Sequence, residues 1–174
     1  MDFRLIKFGI RFWQLLWILL FTALIGNVIA TTENASGSAR AAINFSMFVA
    51  IVAWIAVLYG LVANFMTSLA IPMIQLPIDG AATIFSLIDA IVLSAKLKTV
   101  NCGDLDPKKL PTDYIAWGSP NDEKRCREIQ ASTVFMWLLV VGFSAGTFFT
   151  WREGRGLGGG SIRSSRPSMA QVGV

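Results

Sequence analysis

Two carboxylates, Asp79 and Asp89, interrupt a stretch of sequence that otherwise carries no charge between Arg40 and Lys96. On a helix, two hydroxyl residues fall within the same arc of about 120° as these carboxylates. The four residues together are called the polar stripe: Asp79, Thr83, Ser86 and Asp89. An ionised carboxylate inside a bilayer is costly, so it faces other protein groups, pairs with them or takes up a proton.

The polar stripe has two interpretations. One is a site for a proton or a lipid headgroup. The other is hydrogen bonding between helices, worth about 1–2 kcal/mol or less per contact, and we favour it. The expected partners lie on the other helices: Gln14, Asn27, Tyr59 and Asn64. We expect Asp89 to lie near the outer membrane surface, partly solvated.

The elements that must position the stripe are membrane helices. Of 174 residues, 54% are apolar and only 15% are charged, whereas a soluble domain is about a quarter charged. Charge is absent from residues 12–32, 41–78 and 129–151, and roughly 20 helical residues cross a bilayer core. The first and last stretches fit one crossing each. The middle one is too long and must fold back, with its turn at residues 64–68.

We therefore predict an all-α integral membrane four-helix bundle over residues 1–152. The helices are expected at about 8–30, 41–65, 69–96 and 129–151, because lipid does not tolerate exposed irregular backbone. Residues 153–174 are expected to form a disordered Gly/Ser/Arg-rich tail. The basic start of the chain followed by an apolar run also fits a cleaved signal peptide. We favour a retained helix because the run is long and is interrupted by Gln14 and Trp17.

Orientation depends on the cysteines, because lysine and arginine are divided almost equally between the two sides. The only two, Cys102 and Cys126, both fall in the short third loop. This indicates a disulfide on the oxidising side, with the third loop outside and both termini in the cytosol. The alternative is two reduced thiols in a cytosolic loop. A glycosylation sequon at Asn34 is consistent with the first loop also being outside.

Two further features concern packing and regulation. Gly142 and Gly146 form a small-xxx-small pair, which allows close helix contact within the bundle or between copies in a homo-oligomer. In the tail, phosphorylation would weaken the attraction of arginines to anionic lipid, and the candidate sites are Ser164, Ser165 and Ser168. A solvated, inert tail is the alternative.

Catalysis finds no support in the sequence. The chain has no histidine, no paired-carboxylate motif in a loop and no phosphate-binding loop between a strand and a helix. Two cysteines without histidine are too few ligands for a metal site. We predict a protein that is not an enzyme, with no cofactor, no metal and no nucleic-acid partner.

Two motifs are informative together. One closes the second helix (YGLVANF, 59–65) and the other opens the fourth (RCR, 125–127, followed by Gln130). With Asp79, Cys102 and the final QVGV, they make the chain resemble the fungal non-classical export protein family, whose members have a MARVEL-like tetraspan fold. Asp89 departs from the family pattern. The motif residues that carry the resemblance are Tyr59, Gly60, Ala63, Asn64, Phe65, Arg125, Arg127 and Gln130.

The resemblance implies a non-catalytic organiser of furrow-like plasma-membrane microdomains, the eisosome compartments. It also implies a response to sphingolipids and a role in non-classical protein export. The expected partners are membrane lipids, sphingolipid or anionic, and other plasma-membrane domain proteins. The alternative function is a small proton-coupled carrier or lipid transporter that uses the polar stripe, although no inverted repeat is evident.

Overall fold

The fold is a bundle of membrane helices. The computed structural model describes residues 3–66, 71–98, 100–106 and 108–158. Within these residues the helices are α1 (Phe3–Ala30), α2 (Gly37–Phe65), α3 (Pro72–Leu97) and α4 (Asp122–Gly158). Each is long and apolar enough to cross a membrane. The predicted all-α four-helix membrane fold is therefore confirmed.

The helices are arranged as a ring in chain order. α1 packs on α2, α2 on α3, α3 on α4, and α4 returns to α1. Sequential antiparallel neighbours are the expected up-down topology of a four-helix bundle. The backbones of α1 and α3 lie diagonally opposite each other and do not approach closely in the described residues, and the same holds for α2 and α4. Any contact between diagonal helices must therefore be made by long side chains in the centre.

Helix α2 shows how a membrane bundle distributes its side chains. Its buried face is made mostly of small residues, among them Ala53, Ala56 and Gly60, which let neighbouring helices approach closely. Its exposed face carries large apolar side chains, including Ile51 and Ile55, each 56% exposed. Large residues face lipid and small ones face protein, so α2 is built for close packing inside and lipid contact outside.

Three helices begin earlier than predicted, and in two of them a polar cap extends the helix beyond the apolar run. α2 begins at Gly37, not at 41, because the Ser36 hydroxyl accepts a hydrogen bond from the Ala39 amide. α4 begins at Asp122, not at 129, because the side chain of Asn121 accepts from the Lys124 amide at 3.0 Å. Acidic residues in the first turn of α4 also stabilise it, because they interact favourably with the positive end of the helix dipole. α1 likewise begins at Phe3, before the predicted residue 8.

Helix α4 also ends later than predicted. It continues to Gly158, so residues 153–158 are helical and not part of a disordered tail. Two contacts stabilise this extension: Glu153 pairs with Lys7 of α1 at 2.5 Å, and the Arg155 guanidinium stacks 3.8 Å from the Trp151 ring centre. The remaining tail lies outside the described residues, and with it the candidate phosphorylation sites Ser164, Ser165 and Ser168.

The connection between α2 and α3 agrees with a hairpin in the middle uncharged stretch. α2 ends at Phe65 and α3 begins with Pro72 in its first turn, where proline costs no hydrogen bond. Pro77 lies inside α3 and does not end it. Residues 67–70 lie outside the described residues, and so does the predicted start of the third helix at 69.

Candidate functional site: a buried ion pair across the bundle

Asp79 of the polar stripe forms an ion pair with Arg11 of α1. The Arg11 Nη2 donates to Asp79 Oδ2 at 2.5 Å, and the two side chains are 4% and 1% exposed. Because α1 and α3 are diagonal in the ring, this pair crosses the centre of the bundle. The charges compensate each other, so neither carries the cost of an unpaired buried ion.

Gly60 of α2 provides the space for this pair. A Cβ added at Gly60 would lie 2.2 Å from Arg11 Nε and 2.3 Å from Arg11 Cζ. Any side chain at position 60 would therefore displace the guanidinium from Asp79. This gives a physical reason for a glycine in the YGLVANF motif, which the sequence alone did not supply.

Gln14 extends the network from Arg11 to α4. The Arg11 Nη1 donates to Gln14 Oε1 at 2.9 Å, and Gln14 Nε2 donates to the backbone carbonyl of Gly142 at 2.9 Å. Added Cβ atoms at Gly142 and Gly146 would lie 3.1 Å from Gln14 Cγ and 3.2 Å from Gln14 Nε2. In this structure the small-xxx-small pair therefore packs on α1 inside the bundle.

The surroundings of Asp79 are closely packed. Gln75 of α3 and Thr150 of α4, both buried, lie within 3.4 Å and 3.5 Å of Asp79 Oδ2. The cavity beside the pair measures about 10 Å³, whereas one water needs roughly 10–15 Å³ of such volume. The pair is thus surrounded by side chains of α1, α3 and α4 and by the backbone of α2 at Gly60.

The rest of the polar stripe also faces the bundle interior. The Thr83 hydroxyl lies 3.0 Å from that of Thr147. Asp89 accepts a hydrogen bond from the Ser46 hydroxyl of α2 at 2.7 Å. Asp89 is fully buried, so the expectation that it would be partly solvated is wrong. Ser86 is buried as well, and its hydroxyl has no hydrogen-bond partner among the described residues.

The partners expected for the polar stripe are found in part. Gln14 reaches Asp79 through Arg11. Asn27 instead donates to Glu128 of α4 at 2.6 Å, and the Asn64 amide nitrogen has no partner in the described part of the chain. From the sequence, Arg11 was only part of the basic start of the chain, at the edge of the first apolar run. Its spacing of three residues from Gln14, which puts both on one helix face, was the available signal.

The opposite end of the bundle is closed by an ordered third loop. Cys102 and Cys126 are joined by a disulfide, as predicted. The buried Tyr114 hydroxyl donates to the carbonyl of Leu97 at 2.7 Å, and burial raises its pKa above the ordinary value. The amides of Glu33 and Asn34 donate to the carbonyl of Gly118. The third loop is thereby attached both to the start of α4 and to the first loop.

The RCR motif lies beside the disulfide. Arg125 is 1% exposed. Its guanidinium donates to the carbonyls of Ile115 and Val28 and to the Thr32 hydroxyl. Arg127, by contrast, is exposed and pairs with Glu123 one turn earlier. Gln130 Oε1 lies 3.7 Å from the sulfur of Cys102.

The other motif residues surround Gly60 at the opposite end. Ala63 is buried at 5% exposure, and Phe65 is 75% exposed, with its ring 6.0 Å from that of Phe8. Tyr59 is half-buried. These positions support packing of α2 on α1 near the ion pair.

Comparison with known proteins agrees with this architecture. Residues 3–149 match the MARVEL membrane-associating domain. The chain belongs to the MARVEL family. It is similar to non-classical export protein 2 homolog 1 of Saccharomyces cerevisiae, with 28% identity covering 95% of this chain and 92% of the relative. It is also similar to non-classical export protein 2 of the same yeast, with 27% identity and the same coverage. No solved structure matches it.

The family that the sequence motifs suggested is thus confirmed. The MARVEL match extends through all four helices and includes both the ion pair and the disulfide. The chain is a multi-pass membrane protein. Clusters of three or more potential metal ligands are absent from its described residues.

Proposed function

We propose that the protein is a non-catalytic organiser of furrow-like, eisosome-type compartments of the plasma membrane. Its sphingolipid response and its contribution to non-classical export belong to the same proposal. Support comes from membership of the MARVEL family and from relatives named as non-classical export proteins. A protein that organises a membrane needs a rigid apolar body that contacts lipids and other proteins. It does not need a reaction centre.

The observation that carries the proposal is the pairing of Arg11 with Asp79 inside the membrane. Arg11 and Asp79 compensate each other in the centre of the bundle, and the adjoining cavity of about 10 Å³ holds at most one water. Carriers expose their charged sites to alternating aqueous paths. A buried, compensated pair suits a helix clasp, so it favours the organiser over a carrier built on Asp79.

The proposed orientation places both termini in the cytosol. The disulfide between Cys102 and Cys126 supports an outside location for the third loop, because such bonds persist in oxidising compartments. The exposed aliphatic faces, such as that of α2, remain available for lipids and neighbouring domain proteins. Cytosolic termini would also leave the end of α4 accessible to proteins on the inner surface.

Imaging in yeast tests the organiser. The chain carrying a fluorescent tag is expressed in Saccharomyces cerevisiae lacking both named relatives, and membrane furrows are imaged by electron microscopy. We expect concentration in furrow-like compartments, a redistribution when sphingolipid synthesis is inhibited, and recovery of furrow number. A uniform membrane distribution with unchanged furrows would contradict the proposal.

Reconstitution tests the carrier alternative. Purified chain in vesicles is expected to give no pH-driven flux above empty vesicles. The charge-free double variant R11Q/D79N serves as the matched control, because it keeps hydrogen-bonding groups at both positions. Flux that the native chain supports and this variant abolishes would replace the organiser with a carrier.

A further inference from the structure

Arg125 has an incomplete set of partners. Its guanidinium is buried, and its three hydrogen bonds go to two carbonyls and one hydroxyl, all uncharged. Its Nη2 has no partner among the described residues. None of the ion pairs formed by described residues includes it. A buried cation that meets only neutral acceptors is costly unless a counter-charge approaches it.

The nearby acidic groups are engaged elsewhere. Asp122 and Glu128 are the carboxylates close enough to act on the charge of Arg125. Glu128 accepts from Asn27 and pairs with Lys124, and Asp122 accepts from the amide of Ser119. The protein therefore supplies Arg125 with no direct counter-ion in its described part.

A cavity of about 230 Å³, lined in part by Arg125, lies between the end of α1 and the start of α2. Besides Arg125, it is lined by Ile29, Thr32, Arg40, Ile43 and Asn44. The two arginines and the Asn44 amide supply donors, whereas the Thr32 hydroxyl already donates to the Val28 carbonyl. The isoleucines supply an apolar wall. Paired arginines with neutral donors are the chemistry that binds the oxygens of a phosphate.

The position of the cavity favours a lipid as the source of the phosphate. Arg40 and Asn44 begin one face of α2 that continues, at helical spacing, with Phe48, Ile51 and Ile55. Phe48 is 48% exposed and the two isoleucines are 56% exposed. From Arg40 to Ile51 the helix rises about 16 Å, which is roughly the thickness of one leaflet of a bilayer core. An acyl chain can therefore lie along this face while its headgroup reaches the arginines.

We propose that the cavity formed by α1, α2 and the start of α4 binds the phosphate of an anionic membrane lipid, held by Arg125 and Arg40. Under the proposed orientation, this lipid belongs to the outer leaflet. The inference deepens the proposed function by naming a lipid class and its site, and it rests on that function only for its role in the cell. Binding itself is measured on the purified chain.

The test is native mass spectrometry of the full disulfide-bonded chain in detergent. The probes are phosphatidylglycerol, phosphatidylcholine and inorganic phosphate, each titrated separately. We expect one phosphatidylglycerol bound at least tenfold more tightly than phosphatidylcholine. Inorganic phosphate at millimolar concentration should not displace it, because free phosphate lacks the acyl contacts along α2.

Variants locate the site. Arg40→Gln, at an exposed position, should weaken phosphatidylglycerol binding about tenfold. Arg125→Lys, which keeps the charge but removes the forked donors, should weaken it by a similar factor. Arg127→Gln is the matched control, because that arginine lies two residues away on α4, is exposed and pairs with Glu123.

Three outcomes would overturn the inference. Equal affinity for the two lipids would remove the anionic preference. Equal losses in Arg40→Gln and Arg127→Gln would reduce binding to general surface charge. Full displacement by inorganic phosphate would make the cavity a site for a free anion. Any of these results leaves furrow localisation unaffected, so failure here is distinguishable from failure of the proposed function.

Discussion

Arg11 and Arg125 are both buried arginines, and they are used in opposite ways at the two ends of the bundle. Arg11 meets a carboxylate from the diagonal helix, and Gly60 makes room for it. Arg125 meets only carbonyls and a hydroxyl and borders a cavity. The first arrangement contains its own counter-charge, although Asp79 Oδ1 has no hydrogen-bond partner among the described residues. The second has no counter-charge in the described part of the chain, and Arg125 Nη2 has no partner there. One end therefore holds helices together, and the other is the end at which we propose that a lipid binds.

The largest expected effect comes from removing the counter-charge at the closed end. Asp79→Asn leaves Arg11 buried without its carboxylate and should lower the free energy of unfolding by about 3–5 kcal/mol. Thermal unfolding in detergent measures the loss. R11Q/D79N should recover most of it, since no charge then remains in the centre. Arg125→Gln should cost less than Asp79→Asn, and the reverse order would break the comparison between the two arginines.

Removing the disulfide should lower the free energy of unfolding nearly as much, but its effect lies at the opposite end of the bundle. Replacing Cys102 and Cys126 with serine removes a closed loop with a sequence separation of 24, which is worth about 3 kcal/mol in the chain-entropy model. Hydrogen exchange should rise in the third loop and the start of α4, while the amides around Arg11 keep their protection. Equal loosening at both ends would show that the two regions are not independent.

Gly60→Ala tests how closely the ion pair is enclosed. The added methyl must displace the Arg11 guanidinium, and overpacking of this kind costs about 1–3 kcal/mol. Gly80→Ala on α3 is the matched control, because an added Cβ there meets nothing within 4 Å. In an Arg11→Gln background the Gly60→Ala effect should shrink, which a double-mutant cycle would detect.

The smallest effect concerns Tyr114 in the third loop. Tyr114→Phe removes the hydrogen bond to Leu97 and should cost about 1 kcal/mol. Burial raises the pKa of Tyr114, so its folded form holds the proton more firmly than the unfolded chain does. Its stabilisation is complete below the unfolded pKa of about 10 and falls as the pH rises above that value. The native loop should loosen above pH 10 by hydrogen exchange, with a smaller pH dependence in Tyr114→Phe.

The sequence predicts the helices well because lipid imposes a simple rule on them. Long uncharged runs identify the crossings, and two isolated cysteines in one loop identify the disulfide. The helix ends were harder to predict. Asn121 and Ser36 cap helices whose first turns contain polar residues, and a prediction from apolar runs leaves those residues out. The partner of Asp79 was missed because Arg11 looks like a flanking charge. Only the ring arrangement, which places α1 and α3 on a diagonal, brings the two together.

The diagonal ion pair also sets an order for biogenesis. Synthesis runs from the N-terminus, so Arg11 enters the membrane two helices before Asp79 exists. Until α3 arrives, the long side chain of Arg11 must extend toward the nearest lipid headgroups. Asp79 of α3 then supplies the counter-charge, and Gly60 of α2, already synthesised, leaves room for the guanidinium. A nascent chain halted after α2 would hold an unmatched cation, a mark by which membrane quality control could recognise an unfinished molecule.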